Sequence, residues 1–357
     1  MPPDSTSRLL RPAGLAYGMV MNIRNALYDR GILKAWQSPI PVVSVGNITT
    51  GGTGKTPLVD WIVKFYQASG LKAAIISRGY GRRTKGVQLV SDGQSILLES
   101  RDSGDETAML AARNPSSIVI VAEKRQAGVE FLMQKFADHL PDVIVLDDAF
   151  QHRKIARDLD IVVVNALDPL DGAAMLPEGH LREPVQGLTR ADLIILGKIV
   201  DEKRSEAMME TLKKTGKPVL RSKIRPSKLV PVGKRLDPHD DGMMGKRVRA
   251  LAFAGIGAPT GFMQSLKDAG IDVAASRFFR DHEPYTETSV RTIVSEAALQ
   301  ELTPVTTEKD WFRLKDDMPL AKMLEDAQCS YLAIEPEFPG GTGMLEKKLL
   351  SAAARRR

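Results

Sequence analysis

Residues Pro41 to Asp60 read PVVSVGNITTGGTGKTPLVD, and this stretch limits the possible folds more than any other. Val42 to Val45 is a short β-branched run suited to a buried strand. A glycine-rich turn then leads into a helix entered at Lys55 and Thr56. A strand feeding such a turn into a helix aims backbone N–H groups and the positive end of the helix dipole at one spot, where an anion can sit. Gly51, Gly52 and Gly54 lack the Cβ that would hold phosphate oxygens away. Lys55 would then meet the β- and γ-phosphates of a nucleotide, and Thr56 would give its hydroxyl to Mg²⁺. Thr49, Thr50 and Thr53 complete the expected nucleotide-binding turn. One departure stands out: the pattern G-x-x-x-x-G-K-[ST] asks for glycine where this chain has Thr49.

Downstream of that turn, apolar runs alternate with helical stretches as far as Arg221. They include Ala73–Ile76, Ile118–Val121, Val143–Leu146, Ile161–Val164, Leu193–Leu196 and Pro218–Leu220. The runs are continuously apolar rather than alternating, which predicts strands buried on both faces in a parallel sheet with helices on both sides. The expected fold is therefore α/β, a P-loop NTPase-like core. Prolines and glycines gather between Ser222 and Lys246, and residues 223–246 read as a linker between a domain at 36–222 and a smaller C-terminal α/β domain at 247–357. Strands there are expected at Val248–Phe253, Ile271–Ala275, Pro304–Thr306 and Tyr331–Ile334.

Residues 1–35 form a separate segment. A helix is expected over 12–30, with Pro12 at its first position and Gly31 just past its end. Leu15, Met19, Ile23, Ala26 and Leu27 recur at helical spacing, and no charge occurs from Ala13 through Ile23. Such a helix suits either a bilayer interface or packing on a core. No apolar run approaches the length of a spanning helix, and the polar start does not resemble a cleaved signal, so a cytoplasmic protein is expected. The single Cys329 excludes an internal disulfide. A net charge of +6 over 357 residues is modest, and aromatic residues make up only 5%. Without aromatic–basic interleaving, nucleic acid is not an expected partner.

VIVLDDAFQH, Val143 to His152, is an apolar strand ending in acid, the arrangement that places a carboxylate beside a phosphate loop and its Mg²⁺. Asp147 and Asp148 both qualify. SRGYG, Ser77 to Gly81, follows a buried strand and brings Arg78 and Tyr80 into view. SGDET puts Asp105 at the opening of a helix, as either a cap or a base. LPEGHLREP carries Arg182 and Glu183, and RDHEPYT carries His282. The five histidines show no metal-ligand spacing.

Taken together, the segments YGMVMNIRNALYDRG, VGNITTGGTGKTP, SRGYGR, GDE, DDAFQH, LREP, AGIGAP, DH and TEKD resemble, in order and over nearly the whole chain, the tetraacyldisaccharide 4′-kinases of lipid A biosynthesis. That resemblance implies ATP- and Mg²⁺-dependent phosphorylation of the 4′-hydroxyl of an acylated glucosamine disaccharide 1-phosphate. It places the enzyme peripherally at the cytoplasmic face of the inner membrane, with no obligate protein partner. It also implies Asp105 as base with His282 as its partner, and places Lys55, Asp148, Arg182, Glu183 and His152 on the family's functional positions. Ala149 stands where the family usually has glycine, and Glu178-Gly179-His180 replaces its more usual Ala-Gly-Pro. Two rivals remain at this level: a P-loop regulatory ATPase or GTPase switch, and a kinase of a soluble small molecule. Against the switch, Thr50 occupies the signature-lysine place of deviant-Walker ATPases, and TEKD does not fit a guanine-reading N-K-x-D.

Overall fold

The structure, a computed structural model, describes residues 5–199, 202–233, 248–257, 259–281 and 283–355. Helix α1 (Ser5–Asp29) precedes strand β1 (Val42–Gly46) and helix α2 (Lys55–Ala68). Then come β2 (Ala73–Ser77), β3 (Gln88–Asp92), the short α3 (Ser100–Ser103), α4 (Asp105–Arg113) and β4 (Ile118–Val121). Helix α5 (Arg125–Lys135) leads to β5 (Val143–Asp147), β6 (Leu159–Asn165), β7 (Leu193–Gly197), α6 (Glu202–Lys213) and β8 (Val219–Arg221). Next are β9 (Lys223–Pro231), β10 (Arg249–Ala254), α7 (Pro259–Asp268), β11 (Asp272–Phe278) and α8 (Glu287–Leu299). The chain finishes with β12 (Thr303–Thr307), α9 (Glu308–Leu314), α10 (Met318–Asp326), β13 (Ser330–Glu337) and α11 (Gly343–Ala354).

Two compact units result. The first comprises Met1–Arg78, Ala122–Lys223 and Glu337–Arg357, and the second Gly79–Val121 and Ile224–Pro336. In the first, strands run β2-β5-β1-β6-β7-β8, every neighbouring pair parallel. Every residue of β1, β2, β5, β6 and β7 is buried, which is why these runs are continuously apolar. Chain order reverses at β1, and the C-terminal strand ends at such a reversal are where α/β sheets hold ligands.

In the second unit, strands order as β11-β10-β12-β13-β9, and β3 pairs with β4 antiparallel. Its core includes Leu251, Phe253, Val290, Ile293, Phe312, Leu314 and Leu324.

The division of the chain differs from the sequence expectation. Residues 79–121 fall in the second unit and 337–357 return to the first, where α11 packs on β1 and β6. Residues 223–231 of the expected linker form a strand, and 234–246 lie outside the described residues. Strands β3 and β9 carry too much polar sequence to signal themselves by continuous apolarity. Helix α1 begins ahead of Pro12, which lies inside it. A proline removes one hydrogen bond without forbidding the turns before it. No helix among the described residues is long and apolar enough to cross a membrane.

Candidate active site

The turn after β1 has the conformation its glycines allow. Gly51 and Gly54 adopt φ of 94° and 91°, and a Cβ on Gly51 would meet nothing within 4 Å, so the backbone faces open space. Gly54 caps α2 with no side-chain hydrogen bond, leaving the first N–H groups of the helix for a ligand. Lys55 and Thr56 are buried at 9% and 8% exposure. Inside the turn, Asn47 Nδ2 donates to Thr53 Oγ1 at 3.3 Å. Thr49 is 3% exposed and forms an isolated antiparallel bridge with Leu181, so it is anchored by the loop ahead of β7 and needs no glycine's freedom.

Strand β5 ends on the two acids, and they face different partners. Asp147 accepts from Ser77 Oγ at 2.9 Å, tying it to β2. Asp148 adopts φ of 48°, a left-handed conformation uncommon for a residue with a Cβ. Its carboxylate lies 3.4 Å from Lys55 Nζ and accepts two bonds from Arg182 Nη1, at 2.8 and 3.0 Å. Burial alone would raise its pKa, but Lys55 and Arg182 outweigh that and bring it down to about 2. His152 goes the other way: burial, reinforced by Arg125 and Arg78, lowers its pKa to about 4, so it is neutral at pH 7.

Arg182 is aimed by its backbone. Its N–H donates to Ile48 O at 2.7 Å, and Thr50 N–H donates to His180 O at 2.8 Å, stitching the LREP loop to the phosphate loop. Tyr17 Oη of α1 donates to Arg182 O at 2.9 Å. Glu183, expected as a catalytic residue, is set among the supporting contacts of the loop. It is 0% exposed and accepts from Gln151, Arg190 and Asn25 at 2.7, 2.8 and 3.3 Å, so it joins α1 to the loops and offers no free oxygen to a reactant.

Asp105 belongs to the second unit. It opens α4 behind Gly104, whose φ of 87° and close approach to Gly79 and Tyr80 leave no room for a Cβ. The SRGYG and GDE segments therefore interlock there, with Tyr80 79% exposed beside them. Asp105 does not cap through its side chain; its Oδ2 accepts from Arg313 Nε at 3.3 Å. His282 lies outside the described residues. Arg78 closes the first stretch of the first unit as an exposed cation felt by Arg125 and His152.

Two residues were missed by sequence reasoning. Arg125, 2% exposed, donates to Ala122 O at 2.6 Å and Asp147 O at 2.7 Å, fixing the backbone that presents the acids. Burial lowers its pKa to about 10 against the pull of Asp147 and Asp148. Lys198 follows β7 with φ of 54°, and a Cβ on Gly52 would stand 3.9 Å from its Nζ. Burial lowers its pKa, Asp168 opposes that and Lys55 adds to it. A lysine directly after a buried strand's C-terminal end, as in Leu196-Gly197-Lys198, was the available signal.

These residues fit a nucleotide with Mg²⁺. The glycine cradle is open, the N–H groups at the start of α2 carry no side-chain cap, and Thr56, Asp147 and Asp148 are hard oxygen donors. Among the described residues no cluster of three or more His, Cys, Asp or Glu could enclose a metal alone.

The sequence profile of the tetraacyldisaccharide-1-P 4′-kinases matches residues 6–354. The chain belongs to that family. A tetraacyldisaccharide 4′-kinase of Chlorobaculum tepidum is 66% identical over 354 residues, covering 98% of this chain and 99% of the relative. One of Chlorobaculum parvum is 66% identical over 351 residues, covering 98% and 96%. Among solved structures, the LpxK of Aquifex aeolicus in complex with ATP superposes with a TM-score of 0.75 at 28% identity, covering 97% of this chain and 99% of that one. The α/β core with a parallel sheet, the kinase class and the ATP requirement follow from this membership, and a regulatory switch is not favoured.

Proposed function

We propose that this chain transfers the γ-phosphoryl group of ATP to the 4′-hydroxyl of tetraacyldisaccharide 1-phosphate. The observation that carries the reading is Asp148 held between Lys55 and Arg182 at the mouth of an open glycine cradle. Lys55 and Arg182 both pair with that acid, and the same two cations would meet the phosphates of a nucleotide. Thr56 and the paired acids would hold Mg²⁺, which supplies charge neutralisation on the phosphate oxygens. Asp105 takes the proton of the 4′-hydroxyl as its oxygen bonds to phosphorus and the bond to the ADP oxygen breaks. His152 is neutral and serves beside the acids as a hydrogen-bonding group rather than a cation.

The enzyme acts as a peripheral protein at the cytoplasmic face of the inner membrane, without an obligate protein partner. Four acyl chains of about a dozen carbons, at about 0.8 kcal/mol per CH₂, hold the substrate in the bilayer by tens of kcal/mol. The headgroup must therefore be met at the surface. Helix α1 supports this by being inverted: Gly14, Gly18, Met21 and Asn25 face the protein, while Leu15, Met19, Val20 and Ile23 are 65, 65, 61 and 55% exposed. An apolar stripe on the outer side of a helix suits a lipid interface. Replacing Leu15 and Met19 by glutamate is expected to abolish binding to anionic vesicles while leaving the melting temperature unchanged, and retained binding would remove the membrane role. For the reaction itself, ATP turnover with and without lipid acceptor is the test. Turnover only with the acylated disaccharide is expected, and acceptor-independent hydrolysis would favour a switch.

A further inference from the structure

Two segments singled out in the sequence, AGIGAP and TEKD, find no place in the phosphate-binding cluster. Both converge on Asp105 within the second unit. Thr307, at the end of β12, caps α9 by accepting from Asp310 N–H at 3.1 Å. The Asp310 side chain is completely buried. Its oxygens accept from Gly255 N–H at 3.2 Å and from Thr307 Oγ1 at 2.6 Å. One helical turn on, Arg313 Nη1 donates to Asp310 and to Gly255 O, both at 3.3 Å. A Cβ on Gly255 would lie 3.1 Å from that Nη1, so the glycine admits the guanidinium. From the remaining side of the fork, Nε reaches Asp105 Oδ2 at 3.3 Å.

We propose that Arg313, held by Asp310 and Gly255, is the positioning residue for Asp105. This inference rests on the reading of Asp105 as the base. A planar fork bonded to three acceptors has one orientation, which a flexible ammonium in its place would not keep. The surroundings are stiff as well. Lys309 pairs with Glu106 at 3.1 Å, Arg113 pairs with Glu308, and Ala108 and Met109 of α4 share a core with Trp311 and Phe312 of α9. Arg313 therefore fixes Oδ2 and leaves Oδ1 of Asp105 for the incoming proton. It touches no reactant in this role; it acts through Asp105.

The test is a double-mutant cycle on the full-length enzyme with Asp105→Asn, Arg313→Met and their combination, with Arg313→Lys as the conservative variant. Arg313→Met is expected to lower kcat about 10- to 100-fold, the range for misplacing a catalytic group, with KM for ATP within about twofold. On the Asp105→Asn background it should cost nothing further, and Arg313→Lys should recover part of the loss. If Arg313→Met does not fold, Arg313→Lys carries the same cycle, with a loss alone and none on Asp105→Asn. A wild-type kcat in the Arg313 variants, or losses that multiply fully with Asp105→Asn, would overturn the positioning role while leaving the base in place. Normal turnover by Asp105→Asn would instead overturn the base assignment and this inference together.

Discussion

The phosphate-loop cluster and the Asp105 cluster handle charge in opposite senses. In the first unit, Lys55 and Arg182 share the single carboxylate of Asp148, and a further half-buried lysine, Lys198, lies beside Gly52. Three cations, Lys55, Arg182 and Lys198, gather around the phosphate loop, and a region that concentrates partly desolvated positive charge is suited to an incoming polyphosphate. In the second unit the balance reverses: Asp105 and Asp310 share one Arg313. A carboxylate oriented by a shared cation, with an oxygen to spare, is suited to accepting a proton. On the function proposed above, the first cluster would grip the donor and the second would deprotonate the acceptor.

That contrast breaks most directly at Asp105. Asp105→Ala is expected to lose about 10²–10⁴-fold in turnover, the usual range for a general base, while ATP still binds with near-normal affinity. Weakened ATP binding in that variant, measured by calorimetry, would erase the division. The converse change, Lys55→Ala, should cost about 10²–10³ in kcat, as removal of one preorganised charge does, and should weaken ATP binding too. Steady-state kinetics at varied ATP separates the two effects.

Stability sharpens the same line between reacting and supporting carboxylates. Glu183→Gln is expected to destabilise the first unit by about 1–3 kcal/mol, because its buried partners Arg190, Gln151 and Asn25 lose a charged acceptor. Its kcat, corrected for the folded fraction, should stay within about twofold. Acid acts through His152 and Asp148. The folded pKa of His152 is lowered to about 4 from 6.5, so protons bind the unfolded chain first and stability falls as pH drops from 6.5 to 4. Asp148, lowered to about 2 from 3.8, contributes stability above its unfolded pKa that is lost as pH falls from about 4 to 2. Melting curves of His152→Gln should therefore lose the upper step and keep the lower. The smallest expected effect is at Lys198. Lys198→Met should weaken ATP binding about tenfold, one charge-assisted contact, with little change for AMP. Equal weakening for both nucleotides would move Lys198 away from the β- and γ-phosphates.

The phosphate-loop cluster was largely legible in the sequence because its parts are local. Lys55 and Thr56 follow the glycines directly, and Asp147 and Asp148 end an apolar strand. The parallel core was legible for a related reason, since strands buried on both faces are apolar over most of their length. Arg125 was not, because an arginine buried by backbone carbonyls reads like any surface arginine at a helix start. The Asp105 cluster was legible only as separate motifs. Gly255, Asp310 and Asp105 come from three distant segments, and nothing in sequence spacing states that one guanidinium joins them. The burial of Glu183 was not legible, because an acid beside Arg182 in a proline-bracketed loop reads as solvent-facing.

Phosphorylation of a lipid-borne sugar hydroxyl is the reaction on which the rest depends. It is tested most directly by incubating the full-length protein with γ-labelled ATP, Mg²⁺ and tetraacyldisaccharide 1-phosphate in detergent, then locating the label by mass spectrometry. One new phosphate is expected, on the 4′-oxygen of the disaccharide, formed by the wild type and lost with Asp105→Ala. Labelled inorganic phosphate without labelled lipid would contradict it.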